Sequence, residues 1–326
     1  MNAFVHVYRG ELVENRHRVS LAIVGQEGLL AYGGNPALLA YMRSSAKPFQ
    51  ALALFLTGAV ERFGLTEEEV ALATASHDGT PQHVAVAARF LEKLGLGPEH
   101  LACGVHPPFS REARRALEEA GLSPTPLHHN CSGKHAGMLA AALAMGAPVE
   151  GYERPDHPVQ RLNQKTLLEL SGTQPAHATD GCSVPTFALP LARAARAFHL
   201  LARPEAAPEV YREPLLRVQK AMRRHPELVA GPGSIDTLLM ERLPLVAKRG
   251  ADGYYGLALL ESPHGPLGVA LKVEDGSSQA REVAVVALLR LLGLDPGPTP
   301  WDRPEVRNHR GLRVGHLEAQ LDLTWV

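Results

Sequence analysis

Residues that favour β-structure gather at the two ends of the chain, and the long stretch between them is patterned as helix. At the start, residues 4–8 and 19–24 are rich in Val, Ile, Phe and Tyr and read as strands around a polar turn at Glu14-Asn15. Gly33-Gly34-Asn35-Pro36 then breaks the pattern. Toward the other end, residues 243–247, 254–260 and 267–273 are again β-compatible, with His264-Gly265 as a tight hairpin turn, and residues 313–321 read as a last strand. From Ser44 onward the middle is helical. Thr80-Pro81 supplies an N-cap with proline at the first helical position, Ser110 and Ser132 are candidate caps, and Gly95, Gly121 and Gly146 are stops. Further helices are expected from Asp156-Pro158, over 186–201, over 209–224 and over 277–292. This order predicts an α+β fold of α/β/α type, in which one sheet is built from both termini and carries an inserted helical lobe. The 326 residues form a single domain in this reading, with a sheet lobe over about 1–43 and 235–326 and a helical lobe over about 44–234.

A net charge of -1 gives no broad electrostatic footprint for nucleic acid or an acidic membrane. No apolar stretch is long enough to span a bilayer, and the first residues lack the pattern of a secretion signal, so a cytoplasmic protein without membrane or nucleic-acid partners is expected. Many soluble proteins are dimers, which makes a homodimer the expected assembly. Three cysteines, Cys103, Cys131 and Cys182, argue against a disulfide framework.

Only seven of the 33 basic residues are lysine. Unlike arginine, lysine can give up its proton and act as a base or ligand. Lys47 follows Ser44 at i,i+3 in Arg43-Ser44-Ser45-Ala46-Lys47, a spacing that puts an amine within reach of a hydroxyl at the start of a helix. A neutral amine there activates a serine nucleophile. Ser76-His77-Asp78 and Lys248-Arg249-Gly250 follow in order and loosely echo the Ser-x-x-Lys, Ser-Asp-Asn and Lys-Thr-Gly series of penicillin-recognising enzymes. Read one at a time, Ser76 is as well explained as a strand end and Lys248 as a solvated charge.

His128-His129-Asn130-Cys131-Ser132-Gly133-Lys134-His135 packs titratable groups into one corner, and Asp180-Gly181-Cys182-Ser183 forms another. Two cysteines so flanked could hold zinc, with His135 or Asp180 as the third ligand on chemistry alone. A nucleophilic Cys–His pair and two unrelated buried thiols are the alternatives.

The segments Arg43–Gln50, Ser76-His77-Asp78-Gly79, Cys103-Gly104-Val105-His106-Pro107, 130–139, Asp180-Gly181-Cys182-Ser183-Val184-Pro185 and Lys248-Arg249-Gly250-Ala251-Asp252-Gly253 closely resemble, in order, the motifs of the L-asparaginase II family of rhizobial type. The resemblance implies a serine-β-lactamase/glutaminase-like fold and hydrolysis of L-asparagine to L-aspartate and ammonia. It also implies two catalytic pairs, Ser44 with Lys47 and Ser76 with Lys248, and zinc on Cys131, Lys134 and Cys182. Zinc is expected to tune affinity rather than to activate water. Arg43, Lys134, His135 and Asp180 are the candidates for gripping the substrate. Lys272, which also follows a strand, competes with Lys248 for the second lysine. A glutaminase, a β-lactam or peptide acyl transferase on the same fold, and a non-catalytic amino-acid-binding protein are the rival functions.

Overall fold

A computed structural model of the chain describes residues 3–326. The strands are β1 (Ala3–Arg9), β2 (Leu12–Gly25), β3 (Gly28–Gly33), β4 (Leu39–Tyr41), β5 (Ala176–Thr179), β6 (Pro185–Pro190), β7 (Leu245–Arg249), β8 (Tyr254–Leu259), β9 (Leu267–Val273), β10 (Glu305–Arg307), β11 (Arg313–Leu321) and β12 (Thr324–Trp325). Nine of them form one sheet in the order β10-β11-β1-β2-β9-β8-β7, with β3 joined to β2 and β12. The α+β class and the sheet made from both termini are thus present. The chain forms two compact units: residues 1–45, 188–203 and 242–326, and residues 46–187 and 204–241.

The first unit holds the sheet. Its strands pair antiparallel, so β2 meets β9 with Leu21 opposite Leu271, and β8 meets β9 with Gly256 opposite Ala270. β8 is buried at every position and β9 at all but one, so these central strands are covered on both faces. The helices Leu191–Ala202 and Ser278–Leu291 both pack on them. Close approach of the first helix depends on glycine: a Cβ on Gly268 would lie 2.0 Å from the Ala195 carbonyl oxygen, and one on Gly256 2.0 Å from the Phe198 ring. The expectation that placed 188–203 in the helical lobe is corrected here. Residues 185–190 are strand, and the apolar face of the helix that follows is buried on the sheet. The first turn is also displaced from Glu14-Asn15 to Gly10-Glu11, because Gly10 takes the left-handed conformation (φ 54°) that lets β1 reverse into a strand of 14 residues.

The second unit is helical and is organised around the helix Ser132–Met145, buried from Ser132 through Ala142. The helices Ala53–Leu56, Ala59–Phe63, Glu67–Ala73, Pro81–Lys93 and Pro158–Ser171 pack around it. Its N-terminal glycines bring the helix Glu67–Ala73 very near: a Cβ on Gly133 would meet the Leu72 carbonyl oxygen at 2.3 Å, and one on Gly137 the Ala73 Cβ at 3.2 Å. That contact carries the segment after Ala73 onto the start of the central helix. Thr66 caps the incoming helix through a reciprocal bond with Glu69, and Gly146 (φ 68°) ends the central one. Ser132 is not the cap expected of it. The helix begins one residue earlier with Cys131 at the N-cap, and the Ser132 hydroxyl is engaged elsewhere.

Candidate active site

Lys47 is wholly buried in the second unit, at the start of the short helix Lys47–Gln50. Its amine donates to the Ala75 carbonyl oxygen at 2.5 Å, to Ser76 Oγ at 2.9 Å and to Cys131 Sγ at 3.2 Å. Burial pushes its pKa down, and the nearby Cys131 sulfur opposes that shift. A neutral amine keeps two N–H donors, enough for the Ala75 carbonyl and the sulfur, and turns its lone pair on the serine hydroxyl. The arrangement therefore suits a base acting on a serine. The packing joins Lys47 to Ser76, 29 residues away, where sequence spacing alone pairs it with Ser44. Ser44 lies in the short 3-10 turn Arg43–Ala46 that runs into the Lys47 helix, and it is half-buried.

The same lysine reaches the thiol cluster. Lys134 stands in the first turn of the central helix, where the helix dipole disfavours a cation. Its amine nevertheless lies 2.9 Å from Cys182 Sγ. Burial works against its ammonium form, but Cys182, Cys131 and Asp180 outweigh it together and hold the pKa above the ordinary lysine value. Cys182 sits in a tight turn in which the Ser183 N–H bonds the Asp180 carbonyl and the Asp180 N–H bonds the Val184 carbonyl, with Ser183 left-handed at φ 76°. A hydrogen bond from the Cys182 thiol holds Cys131 well below the usual thiol range, against burial and with help from Lys47. Cys182 moves the opposite way, because Cys131 takes its hydrogen bond and burial disfavours a second thiolate.

Among the described residues, no three His, Cys, Asp or Glu side chains come together as a metal site. Two thiols and one lysine amine do meet. Soft sulfur donors suit zinc, and the amine fits as the third donor once its proton is lost. The residues present fit that ion.

His135 is wholly buried, with Nδ1 at 2.6 Å from the Tyr152 hydroxyl. That hydroxyl accepts the Ala102 N–H at 2.9 Å, so its own proton goes to Nδ1 and the His135 proton lies on Nε2. This N–H has no partner among the described residues. Asp180 Oδ2 lies 3.7 Å from Cys182 Sγ. Cys103 is a buried thiol pushed up to about 12, chiefly by burial, and is inert.

In the first unit, Arg43 pairs with Asp252. Both are left-handed (φ 51° and 53°), a conformation non-glycine residues adopt at an energetic cost. They border a cavity of about 360 Å³ lined also by Tyr41, Lys272 and Glu274. Lys248 is wholly buried on β7, with its amine 3.1 Å from the Arg249 carbonyl oxygen, and the Ser45 hydroxyl donates to the Lys248 carbonyl at 2.6 Å. Lys272, its competitor, is half-buried and donates to the carbonyls of Asp252 and, at 2.7 Å, Val273. Sequence reasoning passed over His77, Tyr152 and Asp252. Two of these lie inside the quoted motifs, while Tyr152 carried no signal.

Among solved structures, a Bacillus subtilis glutaminase in covalent complex with 5-oxo-L-norleucine is 13% identical, with 87% of this chain and 89% of that chain covered at a TM-score of 0.41. A Mycobacterium bovis β-lactamase is 13% identical, with 85% and 95% covered and a TM-score of 0.43. A Bacillus glutaminase is 12% identical, with 85% and 91% covered and a TM-score of 0.39. A comparison with curated proteins gives no match. The sequence profile described as L-asparaginase II matches residues 5–319, nearly the whole chain. A buried lysine aimed at a serine hydroxyl is the equipment amide hydrolysis needs, and with that match the chain belongs to the L-asparaginase II family of amidohydrolases.

Proposed function

We propose that the chain hydrolyses the side-chain amide of L-asparagine to L-aspartate and ammonia through an ester on serine. One observation carries the reading beyond family membership: the buried Lys47 amine lies 2.9 Å from Ser76 Oγ, with burial favouring its neutral form. Neutral Lys47 takes the proton of Ser44, three residues earlier in the chain, and Ser44 attacks the amide carbonyl. Lys47 passes that proton through the Ser76 hydroxyl to the departing nitrogen. The C–N bond breaks, ammonia leaves and an aspartyl ester remains on Ser44. Water then attacks the ester, its proton returning along the same groups, and aspartate is released. Lys248, wholly buried, is the lysine assigned to support Ser76 in preference to the half-buried Lys272.

Arg43, and Lys134 while no zinc is bound, offer positive charge to the substrate carboxylate, Asp180 offers negative charge to its ammonium, and the unpartnered Nε2–H of His135 is a further donor. Cys131, Cys182 and Lys134 would hold zinc, which when bound supplies a fixed positive charge that orients the substrate. An acid quench during turnover of asparagine, followed by peptide mass analysis, should find the ester on Ser44. Ser44→Ala should abolish turnover and Ser76→Ala should slow it. Near-wild-type turnover of Ser44→Ala beside an inactive Ser76→Ala would exchange the two roles.

A further inference from the structure

The Ser132 hydroxyl, freed from capping, meets His77 in a bond that none of the steps above uses. His77 is wholly buried. Its Nδ1 accepts the Gly79 N–H at 3.1 Å, so the ring proton lies on Nε2, which donates to Ser132 Oγ at 2.8 Å. The ring stacks on His83 with centroids 4.8 Å apart, and the His77 N–H bonds the Asn130 carbonyl at 3.2 Å. Tautomer, ring plane and main chain are therefore all fixed.

The neighbours of the two residues give the bond its meaning. Ser76 precedes His77 and Cys131 precedes Ser132, and Lys47 bridges Ser76 and Cys131 at 2.9 and 3.2 Å. Besides the main-chain bond from His77 to Asn130, the same two segments are thus tied side by side through two side-chain links, one through Lys47 and one through His77 and Ser132. The Lys47 tie must change as its proton moves; the His77 tie holds a neutral donor on a neutral acceptor. We propose that His77, acting through Ser132, is a positioning residue that fixes the spacing of Ser76 from Cys131 and so places the Lys47 amine for proton transfer. This rests on the roles given above to Lys47 and Ser76.

The test compares Ser132→Ala, His77→Gln and His77→Leu in ammonia release from asparagine, with melting temperatures on the same proteins. Ser132→Ala should lower kcat about tenfold to a hundredfold, the effect of a small misplacement of reacting groups, with KM nearly unchanged. His77→Gln keeps an N–H that can reach the hydroxyl and should recover most of the kcat lost in His77→Leu. Wild-type kcat in Ser132→Ala, equal damage in the Gln and Leu variants, or loss of kcat only in step with a collapse of melting temperature would overturn the proposal. If the wild-type protein releases no ammonia, the proposed function falls on its own. The rate at which a fluorophosphonate labels Ser44 or Ser76, read by mass spectrometry, then decides: slower labelling of Ser132→Ala supports the positioning role, and an equal rate overturns it.

Discussion

Replacing Lys47 by Met removes the amine and keeps most of its volume. A general base contributes about 10²- to 10⁴-fold in rate. At roughly 1.4 kcal/mol per factor of ten, the barrier should rise by about 3–5 kcal/mol. The effect on stability is smaller, because two terms oppose each other. The Ala75 carbonyl loses its 2.5 Å donor, and an unsatisfied buried acceptor costs about 1–3 kcal/mol. Against this, the variant no longer buries an amine whose charged form burial disfavours. A net change of about 1 kcal/mol moves the melting temperature of a chain this size by only about 1–2 °C. Coupled ammonia-release kinetics and thermal melts on one preparation should therefore show kcat down by two to four decades (about 10²- to 10⁴-fold) with the fold intact. Lys47→Arg keeps positive charge but cannot release its proton, so it should be equally inactive. A Met variant with more than about a tenth of wild-type kcat, or an active Arg variant, would refute the assignment of Lys47 as base.

Gly133→Ala would force a Cβ to 2.3 Å from the Leu72 carbonyl oxygen, and overpacking of this kind costs about 1–3 kcal/mol, whereas Gly181→Ala enters open space and should leave the denaturant midpoint unchanged. His77 and His83 are buried, and burial lowers both pKa values below the ordinary 6.5. The unfolded chain therefore binds more protons between those lowered values and 6.5, so the stability they contribute is complete above 6.5 and is lost as pH falls. His83→Gln should make urea midpoints fall less steeply on the acid side than in wild type. Chelation of zinc should raise KM more than it lowers kcat, and Cys131→Ser or Cys182→Ser should abolish stoichiometric zinc in metal analysis. A chelated enzyme with unchanged KM and no turnover would make the metal catalytic instead.

Most of the fold is legible where a local signal coincides with what packing demands. The strands Leu267–Val273 and Arg313–Leu321 and the helix Glu209–Arg224 have the bounds their patterns predict, and Ser110 caps the helix it precedes. Residues 186–190 misled, because a short apolar strand running straight into a helix has no breaker to divide them. Ser132 misled because its hydroxyl bonds His77, a partner 55 residues away that no capping rule can see. The residues of the site are largely visible as motifs, but their pairing is not. Ser44 is near Lys47 in sequence, whereas Ser76 reaches it only because Gly133 and Gly137 let two helices come close. The left-handed Arg43 lies beyond propensity altogether, whereas Asp252 is of a type that visits that conformation more readily than most non-glycine residues.

The most direct test is kcat/KM for asparagine, glutamine and nitrocefin, with zinc content measured on the same preparation. Asparagine should be hydrolysed with equimolar aspartate and ammonia, preferred over glutamine by at least about tenfold, the discrimination that one extra methylene allows, and turned over faster than nitrocefin. Asparagine that binds without release of ammonia, or faster turnover of glutamine or nitrocefin, would contradict the proposed reaction.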